Sequence, residues 1–324
     1  MADVYHSNDE TKFLLELKGK LKEKFAGCKK IAIKLHFGEP GNKTAFVPED
    51  IKPITELLKE IGIDFFLFDS PVKYDSPRNT VEGYKEVARK KGWEELGEIR
   101  TNDEYISVKG ENLTYEVCKE LVDADAVLVV SHVKGHVCTG FGGAIKNLGM
   151  GALTKKTKGD IHHGGEPVLI GECTQCGACE RACPLGTLKV KDKPVFGICY
   201  GCSNCVYACP NSVLKTRVNY FDVLLAEGSS VAQSKFKKTF YISFLKNITQ
   251  LCDCEPNPGK IIANNIGFLA SPDGVSIDMA AHDIILKNEG EDVFLKYNKK
   301  SGTEQVKAAE KFGMGQSKYN LIEL

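Results

Sequence analysis

The chain lacks an excess of charge of either sign. Its 43 lysines and arginines are matched by 43 aspartates and glutamates. That balance gives no electrostatic ground for nucleic acid or an anionic membrane surface as partner, so neither is expected. It also lacks any apolar run near the ~20 residues needed to span a bilayer. Met1–His6 has none of the basic-then-apolar pattern of a secretion signal, which points to a cytoplasmic protein. Several catalytic signatures are missing too. The loop after the first predicted strand reads Phe37-Gly38-Glu39-Pro40-Gly41 rather than GxGxxG, and Gly140-Phe141-Gly142-Gly143 is too loose a match to replace it. Without a nucleophile elbow, a Walker loop or HExxH, hydrolase chemistry has little to stand on.

What the chain does have is cysteine, thirteen in 324 residues. A disulfide framework is the expectation for a secreted chain. Here eight of the thirteen lie within 37 residues, Cys173 to Cys209, at metal-ligand spacing. They form Cys173-x-x-Cys176-x-x-Cys179-x-x-x-Cys183-Pro184 and Cys199-x-x-Cys202-x-x-Cys205-x-x-x-Cys209-Pro210. Each run matches the two-cluster bacterial ferredoxin pattern, in which the fourth cysteine ligates the other cluster. The expected cofactors are therefore two 4Fe-4S clusters, one on Cys173, Cys176, Cys179 and Cys209, the other on Cys199, Cys202, Cys205 and Cys183. Three thiolates on one short loop reach three corners of a cube, and a remote thiolate must close the fourth. Gly177, Ala178, Gly201 and Ser203 are small enough to let backbone amides approach the sulfurs. Zinc sites need only four ligands and set their CxxC pairs farther apart, so zinc is the weaker reading. The similarity to bacterial ferredoxins runs over residues 167–218.

With 42% hydrophobic and 27% charged residues, the remainder can build a sizeable core. Strands are expected at Lys30–Phe37, Ile63–Asp69, Asp125–His132, Ile261–Ala270 and Tyr319–Leu324, and helices at Glu49–Ile61, Asn79–Lys91, Gly274–Leu286 and Thr303–Phe312. The alternation predicts an α/β fold, a mainly parallel sheet with helices on both faces. Its host domain would comprise 1–166 and 219–324, with 167–218 inserted as a small α+β ferredoxin-like two-cluster domain.

Three stretches do not read as plain core: Lys34–Asn42, Ser131–Gly151 and Cys252-Asp253-Cys254. The first two follow predicted strands, where open α/β sheets bind ligands. Lys34, Lys134 and Lys146 could pair with phosphate or carboxylate, and His36, His132 and His136 could donate, accept or ligate. The candidate catalytic residues are thus Lys34, His36, His132, Lys134 and His136. A helix N-terminus near Gly140–Ala144 would add its dipole for an anion. Cys252 and Cys254 could bind a metal, form a strained disulfide, or pack as buried thiols. A third metal or cluster there would recruit Cys138 or a nearby histidine. Cys28 and Cys118 read as core, and His162-His163 as a solvated loop.

KLHFGEPGN (34–42), DSPVKYDSPRNT (69–80), HVKGHVCTGFGGAIKNLGMG (132–151), CDCEP (252–256) and IGFLASPDGVSIDMAA (266–281) together resemble the uncharacterised iron–sulfur family called domain of unknown function 362. The resemblance covers nearly the whole chain. It implies the architecture above, with an inserted two-cluster ferredoxin, and a redox class without a known reaction. The leading expectation is an iron–sulfur redox protein relaying electrons through two clusters to a small anionic substrate or a third metal site, and partnered by a redox protein. The alternatives are a pure electron carrier docking on a partner enzyme and a metal or cluster maturation scaffold.

Overall fold

The computed structural model describes residues 1–324. Eight strands share one sheet: β1 (Ala2–Ser7), β2 (Lys30–Lys34), β3 (Asp64–Phe68), β4 (Glu98–Arg100), β5 (Val127–His132), β6 (Thr239–Leu245), β7 (Gly267–Ser271) and β8 (Tyr319–Glu323), in the order β8-β1-β7-β6-β5-β2-β3-β4. Five of the seven pairings are parallel. Only β7 runs against its neighbours β1 and β6. No helix separates β6 from β7, and a chain that returns without a crossover helix arrives antiparallel.

The helices used below are α1 (Glu10–Lys24), α2 (Pro48–Glu60), α3 (Val81–Lys90), α4 (Ala144–Gly151), α5 (Lys155–Gly164), α6 (Phe221–Gln233), α7 (Gly274–Glu289) and α8 (Thr303–Lys311). Along β5, Val127 and Val129 join one apolar core while Leu128 and Val130 join another. Such a two-sided apolar strand belongs to a sheet covered on both faces. One core takes Phe13, Leu17 and Leu21 of α1 with Ile51, Ile54 and Leu58 of α2; the other takes α4, α6, α7 and α8. The expected α/β fold is what the structure has.

The expected strand Ile261–Ala270 is two. Ile261–Ala263 pairs with Ile248–Thr249 in a separate ribbon, and the main-sheet strand starts at Gly267. Asn264 and Asn265 divide them. The Asn264 amide is taken by Glu289 at 2.9 Å, and the Asn265 side chain accepts from the Asn247 amide at 2.8 Å, so neither serves a ladder.

Residues 167–216, between α5 and α6, hold short elements only. Pro167–Leu169 pairs with Leu214–Thr216 and brings the ends of this stretch together. Its own apolar cluster is Cys179, Leu188, Cys205, Val206 and Leu214.

Candidate functional site

The strand order reverses between β2 and β5, and open α/β sheets place ligand crevices at that switch point. A cavity of about 530 Å³ lies there, lined by segments after β2, β3 and β5, by the 252–256 turn and by Cys199 and Tyr200. That volume is in the range of small-molecule sites, roughly 300–1,000 Å³. Lys34, His36, His132, Lys134, His136 and Lys146 all line it, as do Cys138, Cys252 and Cys254.

Most of the cations already face an anion. Lys34 Nζ is 3.0 Å from Asp69 Oδ1 and donates to Asn147 Oδ1 at 2.7 Å. Burial draws the Lys34 ammonium below its ordinary value against the pull of Asp69. For Asp69 burial pushes upward, yet Lys34, His36, Lys158 and the Tyr84 hydroxyl outweigh it and the carboxyl stays low. Lys134 donates to Asp253 Oδ2, which also faces His132 Nδ1 at 3.1 Å; His132 Nε2 donates to the Lys246 carbonyl at 2.7 Å. Asp253 Oδ1 is buried with no partner. Lys158 donates only to neutral oxygens, Ser70 Oγ at 2.8 Å and the Ser70 and Pro71 carbonyls at 3.1 and 2.6 Å, and burial pushes it down to about 8.

The Cys252–Cys254 segment is a tight turn. The Glu255 amide donates to the Cys252 carbonyl at 3.0 Å, and the Glu39 amide ties the turn to the loop after β2 through the Asp253 carbonyl at 2.9 Å. Lys146 Nζ donates to Cys254 Sγ at 3.5 Å, and His36 Nε2 lies 3.6 Å from the same sulfur. The Gly38 amide donates to His36 Nδ1 at 3.0 Å, and the Arg78 guanidinium, which can only donate, stands 3.0 Å from Nε2. A hydrogen bond from Cys252, then Lys146 and His36, holds Cys254 well below the ordinary thiol value despite burial, while Cys252 is pushed up.

Lys134–His136 and Gly140–Gly142 form a buried hairpin. His136 Nδ1 meets Thr139 twice, its Oγ1 at 2.9 Å and its amide at 3.3 Å, and that hydroxyl donates on to the Phe141 carbonyl at 2.6 Å. Burial and then Lys146 keep His136 neutral. The glycines have steric reasons: a Cβ on Gly140 would stand 1.9 Å from the Lys300 carbonyl oxygen, and one on Gly135 2.0 Å from that of Gln250.

The structure corrects two expectations here. The N-terminus of α4 does not offer its dipole to a ligand, because the Asp278 carboxylate fills it, accepting from the Ala144 and Ile145 amides at 2.6 and 2.9 Å. Burial pushes Asp278 up to about 7, against those two amides. His162 is not in a solvated loop. It sits on α5, half-buried, and lines the cavity while His163 is exposed. His162 Nδ1 donates to the Tyr200 carbonyl at 2.7 Å, and the Cys138 thiol donates to the same oxygen at 3.6 Å. Cys138 is therefore turned toward Tyr200. No three His, Cys, Asp or Glu side chains stand at the spacing of a single ion's ligands.

The eight clustered cysteines fall into two small pockets. Cys173, Cys176, Cys179 and Cys209 line one; Cys183, Cys199, Cys202 and Cys205 line the other. In each, the remote fourth cysteine meets three from the opposite run. The Gln175 and Gly201 amides donate to Cys173 and Cys199 Sγ, both at 3.4 Å. Burial would raise Cys209, but the amides of Leu214, Val213, Asn211 and Ser212 lower it; Leu188, Thr187 and Leu185 do the same for Cys183. Four thiols with amides aimed at sulfur fit a 4Fe-4S cluster, whose irons sit at separate corners and whose sulfurs take such hydrogen bonds.

Sequence reasoning missed Asp69 as an ion-pair partner, along with Lys158, Asp253 and Tyr200. Asp69 had a signal in its place at the end of a predicted strand. The other three become recognisable through side-chain partners 38 to 121 positions away.

Among known families, the model described as Domain of unknown function (DUF362) matches residues 31–283. No curated protein matches. Two solved structures are loosely similar. One is a Thermotoga maritima protein at 12% identity and TM-score 0.47, covering 87% of this chain and 59% of that one. The other, the lactate racemase apoprotein of Thermoanaerobacterium thermosaccharolyticum, stands at 13% and 0.38, with 75% and 50% covered. The chain thus spans less than two thirds of either, and neither likeness carries an activity across. No helix is long and apolar enough to cross a membrane.

Proposed function

Because this chain belongs to the DUF362 family, which is defined by sequence rather than by a reaction, we propose its function from the site: an iron–sulfur redox protein that delivers electrons to a small molecule in the cavity. One observation carries the reading. Val137, Cys199 and Tyr200 line both the cavity and the Cys183/Cys199/Cys202/Cys205 pocket, so a single layer of residues divides them. Clusters held by the eight cysteines would supply electrons singly. The chain's own residues do the rest. His162 and Cys138 hold the Tyr200 carbonyl, fixing the shared wall. A small anionic substrate would meet the Lys146 ammonium in the cavity, and a donor on it would satisfy Asp253 Oδ1.

A carrier that only docks on an enzyme needs no such cavity, and the buried hairpin with its paired charges favours the relay. A redox partner protein would meet the rim where Val195, Phe196 and Ile198 are exposed.

The test is a count of iron and acid-labile sulfide on protein purified without oxygen. We expect about eight irons per chain, and about half that in a Cys183→Ala/Cys199→Ala variant. Zinc in place of iron, or full iron retention in the variant, would overturn the reading.

A further inference from the structure

We propose that Cys252 and Cys254 are a redox-active dithiol/disulfide pair, the station in the cavity where electrons arriving singly are stored as a pair. The inference rests on the iron–sulfur reading for its electron source, but not for the chemistry of the pair.

Three geometric facts support it. The turn closed by Glu255 sets positions 252 and 254 on one short arc, and the Glu39 amide together with the Asn42 side chain, 2.8 Å from the Glu255 carbonyl, clamps that arc to the loop after β2. Both residues line the cavity, as does Cys199 of the neighbouring pocket. Beside Cys254 Sγ stand the Lys146 ammonium, donating at 3.5 Å, and the His36 imidazole, its Nε2 at 3.6 Å. An ammonium donating to a sulfur suits a thiolate. The two side chains also occupy approaches a metal ion would need, and an ammonium beside the sulfur repels a cation. A dithiol of one poised thiolate and one protonated neighbour is the arrangement of exchange-active cysteines.

The step balances simply. The Cys252–Cys254 S–S bond takes two electrons from reduced iron–sulfur centres and one proton from water in the cavity. The bond breaks, Cys252 keeps the proton as a thiol, and Cys254 leaves as the thiolate held by Lys146. The reverse returns the electron pair to an oxidised small molecule. A ring closed over a single intervening residue is strained, and strained disulfides are the readily reduced ones.

The experiment reads thiols directly. Anaerobic cluster-loaded protein is treated with diamide, remaining thiols are alkylated, and the peptide holding 252–254 is weighed. The expected product is that peptide two hydrogens lighter and unalkylated, returning to doubly alkylated after dithionite. Loss of clusters in Cys183→Ala/Cys199→Ala should slow the dithionite step while dithiothreitol still reduces the pair. Equal dithionite rates would sustain the pair and sink the relay. In Lys146→Met, alkylation of Cys254 at neutral pH should slow by about tenfold, the effect of one unit of thiol pKa. The proposal is overturned if diamide leaves both cysteines separately alkylated, or if alkylation requires prior removal of a metal by chelator.

Discussion

A Cβ on Gly151 would stand 2.2 Å from Lys34 Nζ and 2.6 Å from Asp69 Oδ1. The absence of a side chain at the end of α4 is therefore a condition for the buried ion pair at the cavity wall. Gly151→Ala must move one partner of a pair whose side chains are 1% and 4% exposed. Overpacking costs about 1–3 kcal/mol and breaking a buried pair about 3–5, so a loss of about 3 kcal/mol is expected. It should appear as a lower urea midpoint at unchanged slope; an unmoved midpoint would show that the pair relaxes without cost.

At the scale of elements, the seam between the cysteine-rich stretch and the sheet depends on Lys300. Its ammonium donates to Asp222 Oδ2 at 2.7 Å and to the carbonyls of Cys138 and Cys202 at 2.9 and 2.6 Å. Asp222 is 1% exposed and its other oxygen already lacks a partner. Lys300→Met would strand that carboxylate at a cost of about 3–5 kcal/mol. Amide exchange around 138, 202 and 222 should quicken, and Lys300→Met/Asp222→Leu should recover part of the loss. Unchanged exchange in the single variant would mean that the seam is held elsewhere.

Elements differ in how well the sequence announces them. The helices at 81–90 and 303–311 and the strand at 64–68 lie within a residue or two of their expected bounds, since their apolar periodicity and caps are local. By contrast, α6 went unread. Phe221, Asp222, Leu224, Leu225, Ala226 and Glu227 are all buried, so no amphipathic stripe marks it. Its two acids are tolerated only because Lys300 and the Asn112 and Tyr115 side chains meet them across more than 70 residues. The site divides the same way. Residues at or just past strand ends, such as Lys34, His36, His132 and Lys134, were visible. Asp253, whose role depends on the β5 terminus beside it, was not.

Across the whole molecule, the apolar cores of 43 and 28 residues flank the sheet, while the cysteine-rich stretch has five. A segment with so small a core needs covalent or metal support to stay folded. On the iron–sulfur reading, removing the metal with a chelator should therefore collapse amide protection over 167–216 while β2, β5 and β6 remain slow to exchange. Simultaneous loss in both would mean one cooperative unit. The shared wall of Val137, Cys199 and Tyr200 has one more consequence. The Cys173/Cys176/Cys179/Cys209 pocket is bounded only by residues 173–214 and touches nothing of the cavity. The two four-thiol pockets are not interchangeable. On the proposed reading one is an outer terminal and the other an inner one, which gives the wiring of this molecule a direction.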